Sequence, residues 1–218
     1  MNKIKLPTIL FLLFTFFAST NSTFLKEKPV FSYKTYGNIV NYFEDEKDLL
    51  SFFNFKKGDF VAEVGAANGQ NIGGLSILMD SITLYAQDIN IVALNQNNLD
   101  KVINKTKKHK NPTTCKFQLC IGTEKSTNFP DNSFDKIILC STFHEFTFMD
   151  EMLTDIYKKL KSGGQLYILE SACLNKAHKN YSAEETIVLA KKINFNLVKK
   201  DGKDLNGSSG LYRLIFQK

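Results

Sequence analysis

The sequence predicts a single doubly wound α/β sheet, and three observations carry that expectation. Apolar stretches of strand length alternate with segments of helical periodicity along most of the chain. The first strand, Phe60 to Val64, runs straight into a turn bearing Gly65 and Gly69. A second, Ser81 to Asp88, ends in an acid about 20 residues further on, the offset at which a nucleotide-binding sheet places a carboxylate. With 218 residues and no repeat, linker or low-complexity segment, one large core is expected.

The amino end stands apart. Met1-Asn-Lys-Ile-Lys5 supplies positive charge, Leu6 to Ala18 is apolar apart from Pro7, Thr8 and Thr15, and the small or polar residues Ala18-Ser-Thr-Asn-Ser22 follow. This layout predicts a secretory signal peptide over 1–22 and an extracytoplasmic protein, secreted or periplasmic. The run is shorter than the roughly 20 residues of a spanning helix. An uncleaved anchor contacting a membrane through residues 6–18 is the alternative. Residues 23–59 read as helices leading in, with Ile39, Val40, Tyr42 and Phe43, then Leu49, Leu50, Phe52 and Phe53, at packing intervals.

Residues 60–218 form the expected domain. After Phe60 to Val64 comes a helix carrying Ile72, Leu75, Ile77, Leu78 and Met79. The strand ending at Asp88 is followed by a helix over Ala93 to Lys108 and a strand over Cys115 to Ile121. The chain closes with a helix over Ala183 to Lys192, a strand near Phe195 to Lys199, a turn with Gly202 and Gly207-Ser-Ser-Gly210, and a last strand over Leu211 to Gln217.

The glycine loop is the most informative segment. Glycine lets a ligand approach the backbone closely. Glu63, two residues before Gly65, would repel a pyrophosphate and welcome a cation. Ala66-Ala67-Asn68 separates the glycines, so no G-x-G-x-x-G dinucleotide fingerprint can be written. Asp88 is placed to bind ribose hydroxyls; the bland alternative is a cap on a helix starting near Asn90.

These segments resemble the class I S-adenosylmethionine-dependent methyltransferases from about Lys56 onward. Glu63-Val-Gly-Ala-Ala-Asn-Gly69 is similar to that family's acid-x-Gly-x-Gly-x-Gly loop, with Ala67 replacing the middle glycine. Asp88 matches its ribose-binding acid, Asn128 to Leu139 its turn into the fourth strand, and Met152 to Glu170 its helix, Gly-Gly turn and fifth strand. The resemblance implies a mostly parallel seven-stranded Rossmann-like sheet, helices on both faces and an antiparallel last strand. It implies S-adenosylmethionine as cofactor, with Glu63 at its amino group, Gly65, Ala66, Ala67 and Gly69 along its side, Asp88 at the ribose, and Ile89 and Thr123 near the adenine. Thr123 departs from the pattern, since many relatives carry an acid there.

A sulfonium is already an activated methyl donor, so orientation dominates the chemistry. The segment Ser141-Thr-Phe-His-Glu-Phe146 falls at the carboxyl end of the fourth strand, where open α/β sheets bind ligands. His144 has the right ordinary range to take a proton, and Glu145 to orient it or touch the substrate. A capping or packing histidine is the alternative. Phe143, Phe146 and Phe148 are candidates for an apolar wall, or for core. His109 and His178 lack ligand spacing, and no metal site is expected.

Charge discriminates little. Lys and Arg number 28 against 22 acids, and the lysines from Lys101 to Lys110 suit a solvated helix face, or an acidic partner, better than a nucleic-acid groove. Of the four cysteines, Cys115 and Cys120 fall on one strand, about 16 Å apart and on opposite faces. In the family's strand order Cys140 and Cys173 form the one geometrically allowed bridge, although free buried thiols are expected. The expected function is methyl transfer to a small-molecule acceptor. A secreted, non-catalytic binding protein of the same fold is the competing expectation.

Overall fold

Seven strands, β1 (Phe60–Val64), β2 (Thr83–Asp88), β3 (Lys116–Ile121), β4 (Phe134–Cys140), β5 (Leu160–Ser171), β6 (Asn196–Asp201) and β7 (Leu211–Gln217), make one sheet in the order β3-β2-β1-β4-β5-β7-β6. The first five pair in parallel, and β7 runs antiparallel to both β5 and β6. The computed structural model describes residues 53–107, 113–171, 181–202 and 211–218. The expected leader, the helices before Phe53, His109, His178, Cys173 and the Gly207 to Gly210 turn lie outside the described residues.

Period-two alternation divides the strands between two cores. Val61, Ile138, Tyr167 and Leu169 face one side, and Ala62, Val64, Ile137, Leu139, Leu166 and Ile168 the other. Because both faces are covered, the central strands read as continuous apolar runs. On the first face lies α1 (Gln70–Leu78), buried from Ile72 to Leu78. Gly73 leaves no room for a side chain there, because a Cβ would run into Val102 of α2 (Gln96–Thr106). On the second face, α3 (Met149–Lys159) buries Met152, Leu153 and Ile156. Its acids Asp150 and Glu151 begin it and Lys158 and Lys159 end it, complementing the helix dipole. α4 (Ala183–Lys192) opens on a reciprocal Ser182–Glu185 capping box.

Three local expectations are corrected. Residues 54–59 turn rather than continue a helix, since Asn54 and Gly58 take positive φ (45° and 90°), while Phe53 and Phe55 stack at 5.1 Å beside Tyr167. Asp88 does not cap the next helix; Asn95 does, accepting from Asn98 N–H. The Gly163-Gly164 turn lies within β5, not before it. Leu160 already pairs with Phe134, and the ladder resumes at Gln165 with Lys136, so Lys161 to Gly164 bulge outward. Cys115, Cys120 and Cys140 are free thiols, and burial pushes that of Cys140 up. Cys115 and Cys120 pack on opposite faces of the sheet. Among the described residues no helix is long and apolar enough to cross a membrane.

Candidate functional site

The strand order reverses between β1 and β4, and a cleft of about 260 Å³ opens at the carboxyl ends of the strands there. The turn leaving β1 forms one wall. Gly65, Ala67 and Gly69 all hold positive φ (76°, 48° and 83°). Gly65 and Ala66 donate their N–H groups to the Gln87 carbonyl at 2.9 and 2.8 Å, which ties the loop to β2. A Cβ at Gly65 would stand 2.9 Å from Thr142 Cβ and closer still to that residue's Cγ2 and Oγ1.

Asp88 closes the loop from the side. Its Oδ2 accepts from Ala67 N–H at 2.7 Å and its Oδ1 from Asn90 N–H at 2.8 Å, so one carboxylate holds both the glycine turn and the segment carrying Ile89. Ala67 occupies the left-handed region that L-residues enter at a cost of roughly 1–2 kcal/mol. Glycine would lose that strain but also about 0.4–1 kcal/mol through a freer unfolded chain. Ala67→Gly is therefore expected to stabilise the chain by about 0.5–1 kcal/mol, read as a higher midpoint in thermal unfolding; a lower midpoint would refute the strained geometry.

Beneath the loop, Glu63 is 1 % exposed. Its Oε1 accepts from Asn71 Nδ2 at 2.7 Å, and its Oε2 has no partner among the described residues. Burial pushes this carboxyl up to about 8, against the pull of the Asn71 hydrogen bond and with a further push from the Asp88 charge.

Across the cleft, Phe143–Glu145 make a single 3-10 turn after β4. His144 Nδ1 lies 3.0 Å from Glu170 Oε2, and its Nε2 lies 3.0 Å from Glu145 Oε1. The His144 backbone N–H donates to the same Glu170 oxygen at 3.4 Å. Carboxylates only accept, so both ring contacts are hydrogen bonds when the ring carries two protons or one carboxyl carries its own. The Glu170 side chain is fully buried, that of His144 nearly so, and that of Glu145 is 57 % exposed.

Of the sequence-predicted residues, Gly65, Asp88, Ile89, Thr123 and Glu145 line the cleft. Glu63, Ala66, Ala67, Gly69 and His144 are not among the cleft's lining residues, and Ala67 is exposed. Phe146 lines it too, whereas Phe143 is buried in the core against Tyr181 and Phe148 carries the Lys125 ammonium over its ring. Sequence reasoning placed Thr142 in the ligand-binding loop without a role and missed Gln87, Glu124 and Glu170. Glu124 adjoins Thr123 and Gln87 adjoins Asp88, which is the only local signal either gives.

The lining contains three carboxylates, Asp88, Glu124 and Glu145, and no Lys, Arg or His. With the unpartnered Glu63 oxygen under a loop that excludes side chains, this donor set fits a ligand bearing a sulfonium and an ammonium group. It opposes a dinucleotide pyrophosphate.

Comparison with known proteins agrees with that chemistry. Residues 62–168 match the family described as "Methyltransferase domain". A ubiquinone/menaquinone biosynthesis C-methyltransferase, UbiE, of Hydrogenovibrio crunogenus is 30% identical over 100 residues, 44% of this chain and 35% of that protein. The chain thus spans about a third of that curated relative's length. Among solved structures, a SAM dependent methyltransferase from Aquifex aeolicus superimposes with a TM-score of 0.59 at 17% identity, covering 86% of this chain and 98% of that one. Phosphoethanolamine N-methyltransferase 2 of Haemonchus contortus, in complex with S-adenosyl-L-methionine, gives 0.57 at 13% identity, covering 81% and 51%.

Proposed function

We propose that the protein transfers a methyl group from S-adenosylmethionine to a small, uncharged or cationic acceptor, outside the cytosol or at a membrane: residues 62–168 match the methyltransferase-domain family, and the seven-stranded sheet superimposes on a solved SAM dependent methyltransferase. The charged lining of the cleft, carboxylates alone, beside the Glu63 and Gly65 loop is the observation that carries this reading. An anionic acceptor would meet three carboxylates and no compensating base. The apolar run from Leu6 to Ala18 behind a basic start supports the location.

In this assignment Glu63 faces the cofactor's ammonium, Gly65 to Gly69 its methionine side, Asp88 the ribose, and Ile89 and Thr123 the adenine region. The bound cofactor supplies a methyl group already activated by its sulfonium. The chain's own residues then position the acceptor. Phe146 and Met152 provide apolar wall that excludes water, and Glu145, the one member of its trio on the cleft, takes the acceptor's proton. His144 acts from behind, held by Glu170 on Nδ1 and directing Nε2 at Glu145.

Calorimetric titration of S-adenosylmethionine and S-adenosylhomocysteine into the full chain tests the reading. Asp88→Asn is the informative variant, because it keeps an acceptor oxygen while removing the charge. The expected result is micromolar binding by the parent and a loss of about tenfold or more in the variant, the worth of a charge-assisted hydrogen bond. Absence of binding by folded parent would favour the non-catalytic alternative. The mass of the same protein recovered from an exporting host reports whether residues 1–22 are removed; a retained leader would argue for the anchor.

A further inference from the structure

Among the described residues six large apolar side chains are exposed, and three of them, Ile89, Ile91 and Val92, stand within four consecutive positions. They belong to the turn between β2 and α2. Ile91 is 64 % exposed and Val92 78 %. Ile89, at the base of the turn, lines the cleft, so the two tip residues stand on its rim.

This apolar turn is held rigidly. Asn90 Oδ1 accepts from the N–H groups of Val92 and Ala93 at 3.0 and 3.1 Å, and Leu94 N–H donates to the Asn90 carbonyl at 2.8 Å. From the helix side, Asn95 Nδ2 donates to the Val92 carbonyl at 3.0 Å and Asn98 Nδ2 to that of Ala93 at 2.9 Å. Main-chain groups paired in this way leave water at little cost, and a rigid turn loses little entropy on docking. Those are the two properties that an apolar medium demands of a segment entering it.

Basic residues follow directly. Asn98 Oδ1 accepts from Lys101 Nζ at 3.3 Å, which keeps that ammonium beside the turn. Lys105 and Lys107 continue along the exposed side of α2, whose Leu99 and Val102 face inward. Asp100 is the one acid of this helix, and Gln96 Nε2 donates to it at 2.8 Å. Size decides between a protein and a membrane as the partner. A stable protein interface buries about 1,200–2,000 Å² in total around aromatic or arginine anchors. This turn offers aliphatic residues alone, beside asparagine and lysine. Such a surface suits a bilayer containing anionic lipid, with the aliphatic tips among the acyl chains and the lysines at the headgroups.

We propose that the β2–α2 turn inserts Ile91 and Val92 shallowly into an anionic membrane surface, with Lys101, Lys105 and Lys107 against the headgroups. A contact of this kind reaches about 5–10 Å into the interface. Docking sets the mouth of the cleft at the bilayer, because Ile89 joins the two. Under the methyl-transfer reading above, the acceptor is then a membrane-dissolved molecule that enters from the lipid. The cleft's carboxylates turn away an anionic headgroup in that role. The docking itself does not rest on that reading.

The chain has no tryptophan, so Val92→Trp in the full chain installs a single reporter. Val198→Trp, on β6 at the far edge of the sheet and 53 % exposed, installs the control. The vesicles mix phosphatidylglycerol with phosphatidylcholine brominated in its upper acyl chain. Fluorescence of Val92→Trp is expected to shift to shorter wavelength and to be quenched by the bromine, and that of Val198→Trp to do neither. Adding Lys101→Gln and Lys105→Gln to Val92→Trp is expected to raise the half-quenching lipid concentration about 25-fold, at about fivefold per lysine. Vesicle binding through residues 6–18 alone would leave Val92→Trp unquenched and overturn the proposal. Equal quenching of both reporters, or quenching indifferent to the lysines, would overturn it too. A shift that grows with protein concentration in the absence of lipid would assign the turn to a protein surface instead. Calorimetry of S-adenosylhomocysteine on the same variants reads the cofactor site separately, since neither Val92 nor the lysines line the cleft. Cofactor binding without quenching overturns the docking alone, and quenching without cofactor binding overturns the cofactor reading alone.

Discussion

Gly65→Ala is expected to lower folding stability by about 2–5 kcal/mol and to remove cofactor binding. Two separate penalties add. The residue holds φ at 76°, where an alanine costs roughly 1–2 kcal/mol. Its new Cβ would also collide with the Thr142 side chain, and overpacking of a tight site costs about 1–3 kcal/mol. Thr142 has little freedom to retreat, being buried with its hydroxyl 3.1 Å from the Cys140 carbonyl it donates to. The two penalties can be separated by urea unfolding of Gly65→Ala, Thr142→Ala and the pair together. Thr142→Ala should recover the part of the steric penalty owed to Cγ2 and Oγ1 and leave the 2.9 Å Cβ contact and the backbone part, which appears as a favourable coupling between the two sites. A single variant as stable as the parent would show that the loop yields, and that nothing in this turn demands glycine.

That turn also shows which parts of the molecule are legible in a sequence. The bounds of α4 and β7 coincide with their apolar periodicity, because a local pattern sets them. Asp88 lies on the cleft as its spacing from the glycine loop implies, since strand and helix lengths in a parallel unit leave little slack. Features that depend on two distant segments meeting are not legible in this way. Glu170 looks like the end of a buried strand until β4 and β5 pair and bring it to His144, 26 positions earlier. Gln87 looks like one polar residue in a strand until β3 lays Gly122 beside it. The early start of β5 is hidden for a related reason. Lys159 is a good helix former, and only the pairing of Leu160 with Phe134 decides where α3 stops. His144 illustrates the converse limit: its chemistry marks it as a base, but its contacts with Glu170 and Glu145 are set by tertiary packing.

Glu63→Gln is expected to strengthen the unliganded fold and weaken the cofactor complex, and both effects should depend on pH. Burial raises the folded-state value of this carboxyl from 4.5 to about 8. A raised acid is a native-state cost that is absent below pH 4.5, grows as pH rises, and is complete above pH 8. At about 1.36 kcal/mol per unit the cost reaches on the order of 5 kcal/mol. The stability advantage of Glu63→Gln over the parent should therefore be small at pH 5 and largest near pH 9, measured by urea unfolding across that range. Cofactor binding has the opposite sign. An ammonium group against the unpartnered Oε2 favours the ionised carboxylate, so the parent must release a proton on binding below pH 8. Its affinity should rise with pH toward that value, then fall as the ligand's own α-ammonium, which titrates at roughly 8, loses its charge. Calorimetry in buffers of different ionisation enthalpy would count the proton directly, and Glu63→Gln should release none. A parent that binds with no proton release, or a variant that binds as tightly at pH 8, would remove Glu63 from the cofactor site. The buried acid would then be a cost of the fold with no ligand to offset it, a state that proteins rarely keep.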